Sequence, residues 1–384
     1  MSRRRGKQPT GIYIHIPFCV SRCAYCDFFS TVTDDDRIKT AYGKRVVEFL
    51  RLAMEDVRRD DVVSLYIGGG SPSTMPRFFF DDVAAVLRGA GVENGEIEVT
   101  VEANPVDITP AFLETMKRCG VNRLSLGIQS ADDRVLEVMG RRSSRALLKK
   151  VLPRAREAFS NLSYDIIYGF GRQSRDLSSE LEWLFAVAAP DHLSAYCYTR
   201  PRRRCVPPCA SEEAVEQEEE AIRSFLTAHN FVRYEVSNWA RHGFESVHNR
   251  LYWQWNRYIG IGAGAHGFEP REGIRYRYPE SVVSFIRSPR PIKERLPRET
   301  LMREFVMLAL RTVEGISLRR FQNLFGEDLA TLISPVTRER FIAPGYVRLT
   351  SSRLAATEKG FTILNTLTAA LFGDIEHFMV NHAR

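Results

Sequence analysis

Residues 13–30 read YIHIPFCVSRCAYCDFFS, and this stretch holds three of the seven cysteines in the chain. Cys19, Cys23 and Cys26 follow an apolar run with the pattern of a β-strand. Fully extended, the segment from the first to the third cysteine would span about 23 Å, so the loop must curl to bring the thiols around one centre. Structural zinc sites and cubane iron–sulfur clusters both normally take four protein ligands. Three thiols therefore predict a metal centre that keeps one open coordination position.

Two other interpretations of these three cysteines stay open on spacing alone. One is a zinc knuckle, for which the nearest further ligand is His15, inside the predicted strand. The other is a set of buried cysteines that bind nothing. The motif favours the open metal centre over both, because the spacing and the position after a strand occur together.

The remaining four cysteines show no such grouping. Cys119 and Cys197 fall within a helix pattern and a strand pattern, which is typical of core residues. Cys205 and Cys209 have a spacing that suits a metal clip, but no partner ligands lie near them in sequence. We assign none of these four a role.

The composition is that of a soluble globular protein. The chain has 384 residues, of which 44% are hydrophobic and 26% charged. This length predicts one large domain with a smaller one, and no apolar stretch approaches the roughly 20 residues of a membrane-spanning helix. The N-terminal MSRRRGKQPTG leads into a strand pattern and not into the apolar core of an export signal, which predicts a cytoplasmic location.

The positive charge of the chain is concentrated in two short clusters. The formal net charge is +7, and the N-terminal tail and residues 202–204 together carry seven arginines and lysines. Short clusters on a nearly balanced body are typical of solvated tails and loops, so we expect no nucleic-acid partner.

Strand and helix patterns alternate from residue 11 to about 200. The predicted strands are Ile12–Ile16, Val62–Ile67, Glu96–Glu102, Asn122–Ile128, Ser163–Ile167 and His192–Tyr198. The predicted helices between them are Arg37–Val57, Arg77–Leu87, Pro110–Arg118, Ser144–Ala158 and Leu177–Val187. Such alternation predicts an α/β fold with a parallel sheet, and six units favour a partial (βα)6 barrel similar to a TIM barrel over a doubly wound sheet. Binding groups are then expected in the loops after the strands.

The pattern changes after residue 200. An irregular segment rich in Pro and Arg precedes an acidic helix at Glu212–Ala228, and strands and loops that follow are predicted to extend the first sheet. Helices and a short hairpin near the C-terminus predict a winged-helix-like module with a packing or lid role, because its candidate recognition helix is not strongly basic. We divide the chain into a basic tail, a core domain, an extension and the winged-helix-like domain, at residues 1–10, 11–235, 236–295 and 296–384.

The cysteine motif resembles the cluster motif of radical S-adenosylmethionine proteins. Besides the spacing, an aromatic residue, Tyr25, stands just before the last cysteine. The resemblance implies a 4Fe–4S cluster on Cys19, Cys23 and Cys26, whose open iron is chelated by S-adenosylmethionine. It also implies that the cofactor supplies the radical chemistry while the protein positions it.

Further motifs at the predicted strand ends are similar to those of the coproporphyrinogen oxidase-like branch of this family. They are YIGGGSPSTM, VEANP, RLSLGIQS, GRRSS and YDIIYG. Each motif alone is also explained by a tight turn, a cap or a structural hydrogen bond. In order and together, they imply a pocket for S-adenosylmethionine formed by Tyr13, Tyr25, Gly69, Gly70, Ser71, Glu102, Gln129, Arg141 and Asp165. Glu102 or Asp165 is implied on the ribose hydroxyls.

Within this branch the residue after CD distinguishes two groups. The oxygen-independent coproporphyrinogen oxidases carry an additional cysteine two residues past the third ligand, where this chain has Phe28. The CDF form, together with YEVSNWAR and HNRLYW, resembles heme chaperones of the branch. The resemblance implies a protein that binds heme and passes it to acceptor proteins, with a reductant for the cluster and a transient contact with a membrane protein.

His248 in HNRLYW is the implied heme contact. A neutral imidazole is a common axial ligand, and Tyr252 and Trp253 offer aromatic faces to a porphyrin. The alternative is a buried histidine whose hydrogen bonds are satisfied within an aromatic core, and we weight the two interpretations equally.

The chain differs from the family pattern at three places. Ser246 stands where related chaperones often have a cysteine, Phe170 and Gly171 replace a usual Leu-Pro, and TRPRRRCVPP replaces a segment that is usually acidic. The second hypothesis is a coproporphyrinogen III oxidase, an enzyme of porphyrin biosynthesis, and Phe28 argues against it. A radical enzyme acting on RNA, which only the basic clusters favour, comes third.

Overall fold

The computed structural model of the chain describes residues 7–171, 175–201 and 207–382, with side chains up to residue 380. Most of both basic clusters and Cys205 lie outside the described residues. The strands are β1 (Thr10–Ile16), β2 (Phe18–Cys19), β3 (Thr31–Val32), β4 (Val62–Gly69), β5 (Glu98–Ala103), β6 (Arg123–Gln129), β7 (Leu162–Tyr168), β8 (His192–Cys197), β9 (Val232–Glu235), β10 (Asn238–Ala240), β11 (Arg257–Ile261), β12 (His266–Glu269), β13 (Ile274–Arg277), β14 (Ile292–Arg295), β15 (Ile316–Ser317), β16 (Val347–Leu349) and β17 (Arg353–Ala356).

The α-helices are α1 (Asp36–Asp56), α2 (Arg77–Gly89), α3 (Pro110–Arg118), α4 (Asp133–Val138), α5 (Arg145–Ala158), α6 (Leu177–Ala188), α7 (Glu212–Ala228), α8 (Val247–Trp253), α9 (Val282–Arg287), α10 (Arg298–Leu310), α11 (Leu318–Phe325), α12 (Leu329–Leu332), α13 (Pro335–Thr337), α14 (Glu358–Phe361) and α15 (Leu364–His382). Short 3-10 turns lie at Arg59–Asp61, Pro72–Thr74 and Pro105–Asp107, and a π-helical turn lies at Arg338–Ile342. No described helix has the length and apolar character that crossing a membrane requires.

Six parallel strands, β1 and β4 to β8, form the centre of the fold in sequential order. They pair in register, as in Ile12 opposite Leu65 between β1 and β4. Parallel neighbours need a return connection across one face, and helices supply it. The isoleucines of β1 at positions 12, 14 and 16 are fully buried, and they belong to the largest hydrophobic cluster, which also includes residues of α1 and α2. The predicted α/β fold with a mostly parallel sheet is therefore confirmed.

Both edges of this sheet are extended by later parts of the chain. On one side β10 and β9 add to β8 in antiparallel fashion, and on the other β11 pairs parallel with β1. Strands β12, β13 and β14 then continue antiparallel from β11. The prediction that this region extends the first sheet is confirmed, and the result is one sheet of twelve strands.

The C-terminal part contains the predicted hairpin, β16 and β17, joined by β15 into a three-stranded sheet. Helices α10, α11 and α15 pack with it around a second hydrophobic cluster. Trp255 and Phe268, which precede the predicted boundary at residue 296, belong to the same cluster. The domain boundaries themselves remain predictions.

Candidate functional site

The three cysteines lie on the loop that follows β1, at the C-terminal end of the parallel strands. The turn after β4 holds one side of this loop. Backbone N–H groups of Gly70 and Ser71 donate at 2.7 and 2.8 Å to carbonyls at residues 16 and 18. The Ser71 hydroxyl lies 4.0 Å from Cys19 Sγ, to which it donates. The cysteine loop and the glycine turn thus form one unit.

Arg141 holds the other side of the cysteine loop. Its guanidinium donates to Cys23 Sγ at 3.6 Å and to the Tyr25 hydroxyl at 3.4 Å. It also donates to the carbonyl of Gly127, at the end of β6, at 2.5 Å. A side chain that joins the loop to the sheet fixes where the second cysteine lies relative to the strand ends.

A cavity of about 390 Å³ opens between this loop and the strand ends, and we call it the cluster cavity. Eleven of the predicted site residues line it. They are Cys19, Cys23, Cys26, Tyr25, Gly69, Gly70, Ser71, Glu102, Gln129, Arg141 and Asp165. Residues far apart in sequence are brought together here because parallel strands end at the same edge of a sheet.

The glycine run after β4 is required by the packing of the protein itself. Gly69 has φ of +111°, and a Cβ there would lie 2.5 Å from the imidazole of His15. A Cβ on Gly70 would lie 2.7 Å from the carbonyl oxygen of Phe18 and 3.0 Å from Cys19 Sγ. Side chains at these positions would displace the cysteine loop.

Every second residue of β6 faces the cluster cavity. On β6 these residues are Arg123, Ser125, Gly127 and Gln129. Those contributed by the neighbouring strands include Tyr66, Glu102, Asp165, Ser194 and Tyr196. The intervening residues of β6 at positions 124, 126 and 128 are apolar and fully buried. Arg123, Tyr66 and Ser194 were not predicted as site residues, although the alternation of polar and apolar residues along the predicted strands indicates them.

Two partly buried carboxylates give the cluster cavity its electrostatic character. Burial, and after it the charge of Asp165, raises the pKa of Glu102 to about 7. Burial also raises the pKa of Asp165. Glu102 accepts hydrogen bonds from the Tyr66 hydroxyl at 2.8 Å and from the Gly69 N–H at 3.0 Å. Arg123 is 1% exposed, and its Nε–H has no hydrogen-bond acceptor in the described part of the chain. The two carboxylates therefore lie near a hydrogen-bond donor that is not used within the protein.

The geometry of the three thiols tests the kind of metal centre. Among residues 7–171, 175–201 and 207–382, no three His, Cys, Asp or Glu side chains are placed to hold a single ion. The three cysteines nevertheless line one cavity. Ser71 donates a hydrogen bond to the thiol of Cys19, and Arg141 donates one to the thiol of Cys23. A multi-iron cluster binds one thiolate on each of three irons, so it does not require three ligands placed around a single ion as one zinc ion does.

Tyr13 lies inside the barrel but does not line the cluster cavity. Its hydroxyl is 2.9 Å from His15 Nδ1, and its ring is 6.1 Å from that of Tyr66, which does line the cavity. A contact between Tyr13 and S-adenosylmethionine therefore stays a prediction.

His248 lies on α8 and is 1% exposed. Its Nδ1 is 2.8 Å from the Ser64 hydroxyl and its Nε2 is 2.8 Å from the Tyr252 hydroxyl. Burial lowers the pKa of His248 to about 3, so the ring is neutral. The structure therefore matches the alternative interpretation from the sequence, a buried histidine whose hydrogen bonds are satisfied within an aromatic core. Heme contact by His248 stays a prediction, and it requires at least one of the two hydrogen bonds to break.

Helix α8 begins at a doubly capped N-terminus. Ser246, the N-cap, accepts from the Asn249 N–H at 3.2 Å. The Glu98 carboxylate accepts from the N–H groups of Val247 and His248, both at 2.9 Å. Serine at position 246 is thus explained by capping, for which serine is a preferred residue. Asn249, the next residue of the motif after His248, lines the cluster cavity.

The expectation that Cys197 is a core residue is wrong. It ends β8 with an exposed side chain and lines the cluster cavity, because the last residues of β8 extend beyond the packed layer. Cys119 is buried as predicted. The backbone of Cys209 forms an isolated antiparallel β-bridge with Phe170. The ring of Phe170 packs edge-on against that of Tyr198, with ring centroids 4.8 Å apart. The six described cysteines form no disulfide.

Two family models match the chain. That of the radical SAM superfamily matches residues 13–184, and that of the HemN C-terminal domain matches residues 296–363. Among solved structures, coproporphyrinogen III oxidase (HemN) from Escherichia coli, a radical SAM enzyme, superposes with a TM-score of 0.77 at 19% identity, covering 95% of this chain and 90% of that one. This likeness shows the fold.

Curated relatives are similar over nearly the whole length. The heme chaperone HemW of Lactococcus lactis subsp. lactis (strain IL1403) is 30% identical over 387 residues, which cover 94% of this chain and 97% of the relative. HemW of Mycobacterium tuberculosis (strain ATCC 25618 / H37Rv) is 30% identical, with 95% of each chain covered. The mitochondrial radical S-adenosyl methionine domain-containing protein 1 of Mus musculus is 29% identical, with 95% of this chain and 88% of the relative covered.

Proposed function

Because the chain belongs to the radical SAM superfamily, in the coproporphyrinogen oxidase-like branch that includes HemW, we propose that it is a heme chaperone, which binds heme and transfers it to acceptor proteins. The observation that carries this proposal is the sequence similarity to curated heme chaperones. It extends over nearly the whole chain and so includes the C-terminal domain as well as the barrel. Phe28, in the position of the oxidases' additional cysteine, supports it further. This side chain is 67% exposed at the edge of the cluster cavity, where it offers an apolar surface and no thiol.

The proposal includes a 4Fe–4S cluster bound by Cys19, Cys23 and Cys26. Burial raises the pKa of the first and the last of these thiols, and coordination to iron deprotonates such a group. When bound, the cluster supplies one-electron chemistry and an iron that is open to a chelating ligand. The protein's part is to hold the loop in place through Ser71 and Arg141.

S-adenosylmethionine is the proposed ligand in the rest of the cluster cavity. Gly69 and Gly70 line this cavity, and a glycine backbone allows a ligand to approach closely. Glu102 and Asp165 can accept hydrogen bonds from ribose hydroxyls, and Arg123 and Gln129 can donate to the ligand. In this proposal the bound S-adenosylmethionine is exchangeable.

Heme, an acceptor protein and a reductant for the cluster are the proposed partners. A transient contact with a membrane protein and a cytoplasmic location complete the proposal. Free thiols on all six described cysteines support a reducing compartment.

Replacing Cys23 with alanine tests the cluster. Cys23→Ala removes one of three ligands and one of the acceptors for Arg141, so we expect the visible absorbance of an anaerobically reconstituted 4Fe–4S cluster to disappear. Cys119→Ala is the matched control, because that thiol is buried at the end of α3, outside the residues that line the cluster cavity, and should leave the absorbance unchanged. An intact 4Fe–4S spectrum from Cys23→Ala would contradict the proposed ligands.

Anaerobic incubations with heme and with coproporphyrinogen test the function. The reconstituted protein is titrated with heme, and in parallel it is incubated with coproporphyrinogen III, S-adenosylmethionine and a reductant. We expect saturable heme binding, followed by release to an apo-hemoprotein, and no protoporphyrinogen. Formation of protoporphyrinogen would support the oxidase in place of the chaperone.

A further inference from the structure

A second cavity, of about 550 Å³, lies between the barrel and the C-terminal helices. Its walls come from β9, α8, the end of α10, α11 and β17. We call it the arginine cavity, because five arginines line it. They are Arg233, Arg250, Arg319, Arg320 and Arg353. Two carboxylates, Glu245 and Glu314, also line it.

Two of these arginines are paired with carboxylates. Arg250 lies 2.6 Å from the carboxylate of Glu314, and Arg233 lies 3.3 Å from that of Glu219. Their charges are therefore largely compensated by groups of the protein.

The other three arginines, Arg319, Arg320 and Arg353, have no carboxylate within ion-pair distance in the described part of the chain. Arg320 donates to the Asn256 side chain at 3.1 Å and lies over the ring of Phe305. Arg353 donates to a backbone carbonyl at 3.1 Å. Burial lowers the pKa of Arg320, which is the cost of holding a guanidinium away from water without an anion. The negative charge of Glu245 offsets one of the three positive charges of these arginines. The cavity therefore has an excess of two positive charges.

An apolar surface adjoins these charges. Phe305 and Trp253 line the same cavity, and the guanidinium of Arg311 lies 5.3 Å from the centre of the Trp253 ring. The Nε1–H of Trp253 is buried without an acceptor among the described residues. Buried donors are normally satisfied, so this indole points to an acceptor that a ligand or water supplies. A planar ligand that carries carboxylates matches both the aromatic walls and the guanidinium forks.

Helix α8 connects this cavity to the cluster cavity. Asn249 lines the cluster cavity, whereas Arg250 and Trp253 line the arginine cavity, and His248 is buried between the helix and the sheet. The motif HNRLYW therefore presents different side chains to the two cavities. Of its residues, those that line a cavity, Asn249, Arg250 and Trp253, are the ones accessible to a ligand as large as a porphyrin.

We propose that the arginine cavity binds the two propionate carboxylates of heme, with Arg319, Arg320 and Arg353 as the groups that hold them. This inference rests on the proposed function. Two carboxylates match the excess of two positive charges, and Arg binds carboxylates through two parallel hydrogen bonds. Trp253 and Phe305 contact the porphyrin edge.

Heme titrations of charge-neutral variants test this inference. The full chain, the double variant Arg319→Gln/Arg353→Gln and the single variant Arg320→Gln are titrated with heme and with heme dimethyl ester, which lacks the carboxylate charges. We expect each variant to bind heme about tenfold or more weakly than the unchanged protein, since a charge-assisted bond is lost. The ester should bind the unchanged protein and the variants with equal, weak affinity.

Arg348→Gln is the matched control, because this exposed arginine lies on β16 outside the arginine cavity. Arg320→Lys keeps the charge and checks that Arg320→Gln does not act through misfolding, as do thermal unfolding curves of all variants. Heme binding by the variants equal to that of the unchanged protein would overturn this inference and leave the chaperone proposal standing. No heme binding by the unchanged protein would overturn both.

Discussion

Glu102 is a residue whose protonation changes in the physiological range of pH. Its carboxyl is partly buried beside Asp165, and its pKa of about 7 lies above the usual value of a glutamate. Between those two values the folded chain holds a proton that the unfolded chain does not. Stability that this group contributes is therefore fully present at low pH and is lost as the pH rises through about 7.

Replacing Glu102 with glutamine tests this dependence. We expect the protein without bound cofactors to lose stability between pH 5 and pH 8 by on the order of 2 kcal/mol more than Glu102→Gln does. The measurement is urea unfolding of both proteins at the two pH values, so that other titrating groups cancel. Equal losses in the two proteins would show that Glu102 titrates normally in the folded chain.

At this scale, most of the site residues predicted from the sequence line one cavity, but Tyr13 and His248 do not. The cysteines and strand-end residues were predictable because they follow predicted strands in a motif. Cys197 was not, since a strand pattern does not show where a strand projects beyond the packed layer. The environment of His248 was also beyond the sequence, because its partners Ser64 and Tyr252 are brought to it by tertiary packing.

Among the elements, α8 depends on a partner far away in sequence. Its first two N–H groups donate to the carboxylate of Glu98 on β5, and its contact with β1 is close. A Cβ on Gly11 would lie 2.6 Å from a methyl carbon of Leu251. The helix that separates the two cavities is therefore anchored to the sheet at both its start and its buried face.

Replacing Glu98 with alanine should loosen α8. The change removes two charge-assisted hydrogen bonds at a helix N-terminus, for which we expect a loss of about 1–2 kcal/mol in stability. Thermal unfolding gives the loss, and hydrogen exchange of the amides at 247–251 should become faster. Glu98→Gln should recover part of it, because an amide oxygen still accepts. Glu114→Ala, at an exposed position of α3, is the control, and an equal effect there would refute the capping role.

Strands and helices were predicted accurately where a periodic pattern of apolar residues extends over a long segment. The six central strands and five helices were predicted to within two residues at each end. The short strands β9 to β14 were anticipated only as an extension, because segments of three to five residues carry little periodicity and their pairing partners lie elsewhere in the chain. The parallel pairing of β11 with β1 is such a case.

For the molecule as a whole, Trp255 joins the barrel extension to the C-terminal helices. It is 3% exposed and packs against the rings of Phe268, Phe305 and Phe325, with ring centroids 5.0 to 5.8 Å apart. Two of these rings follow the predicted boundary at residue 296. The C-terminal part therefore shares its core with the extension.

Replacing Trp255 with alanine should destabilise this shared core. We expect a loss of about 3–5 kcal/mol, as for other large aromatic residues removed from a core, and greater binding of a hydrophobic dye. The measurement is chemical unfolding with dye fluorescence, and Trp183→Ala on α6 is the control, because that indole is only partly buried. A loss no larger than that of the control would mean that the two parts fold independently.

The twelve-stranded sheet ends at β14 on one side and at β9 on the other, where Glu235 of β9 forms a further isolated bridge to Thr312. An uncovered edge can add a strand from another molecule and so start aggregation. All four residues of β14 are exposed, and Lys293, Glu294 and Arg295 follow Pro291 there. Charges and a nearby proline discourage such pairing, so this edge keeps neighbouring copies of the chain from joining into a continuous sheet.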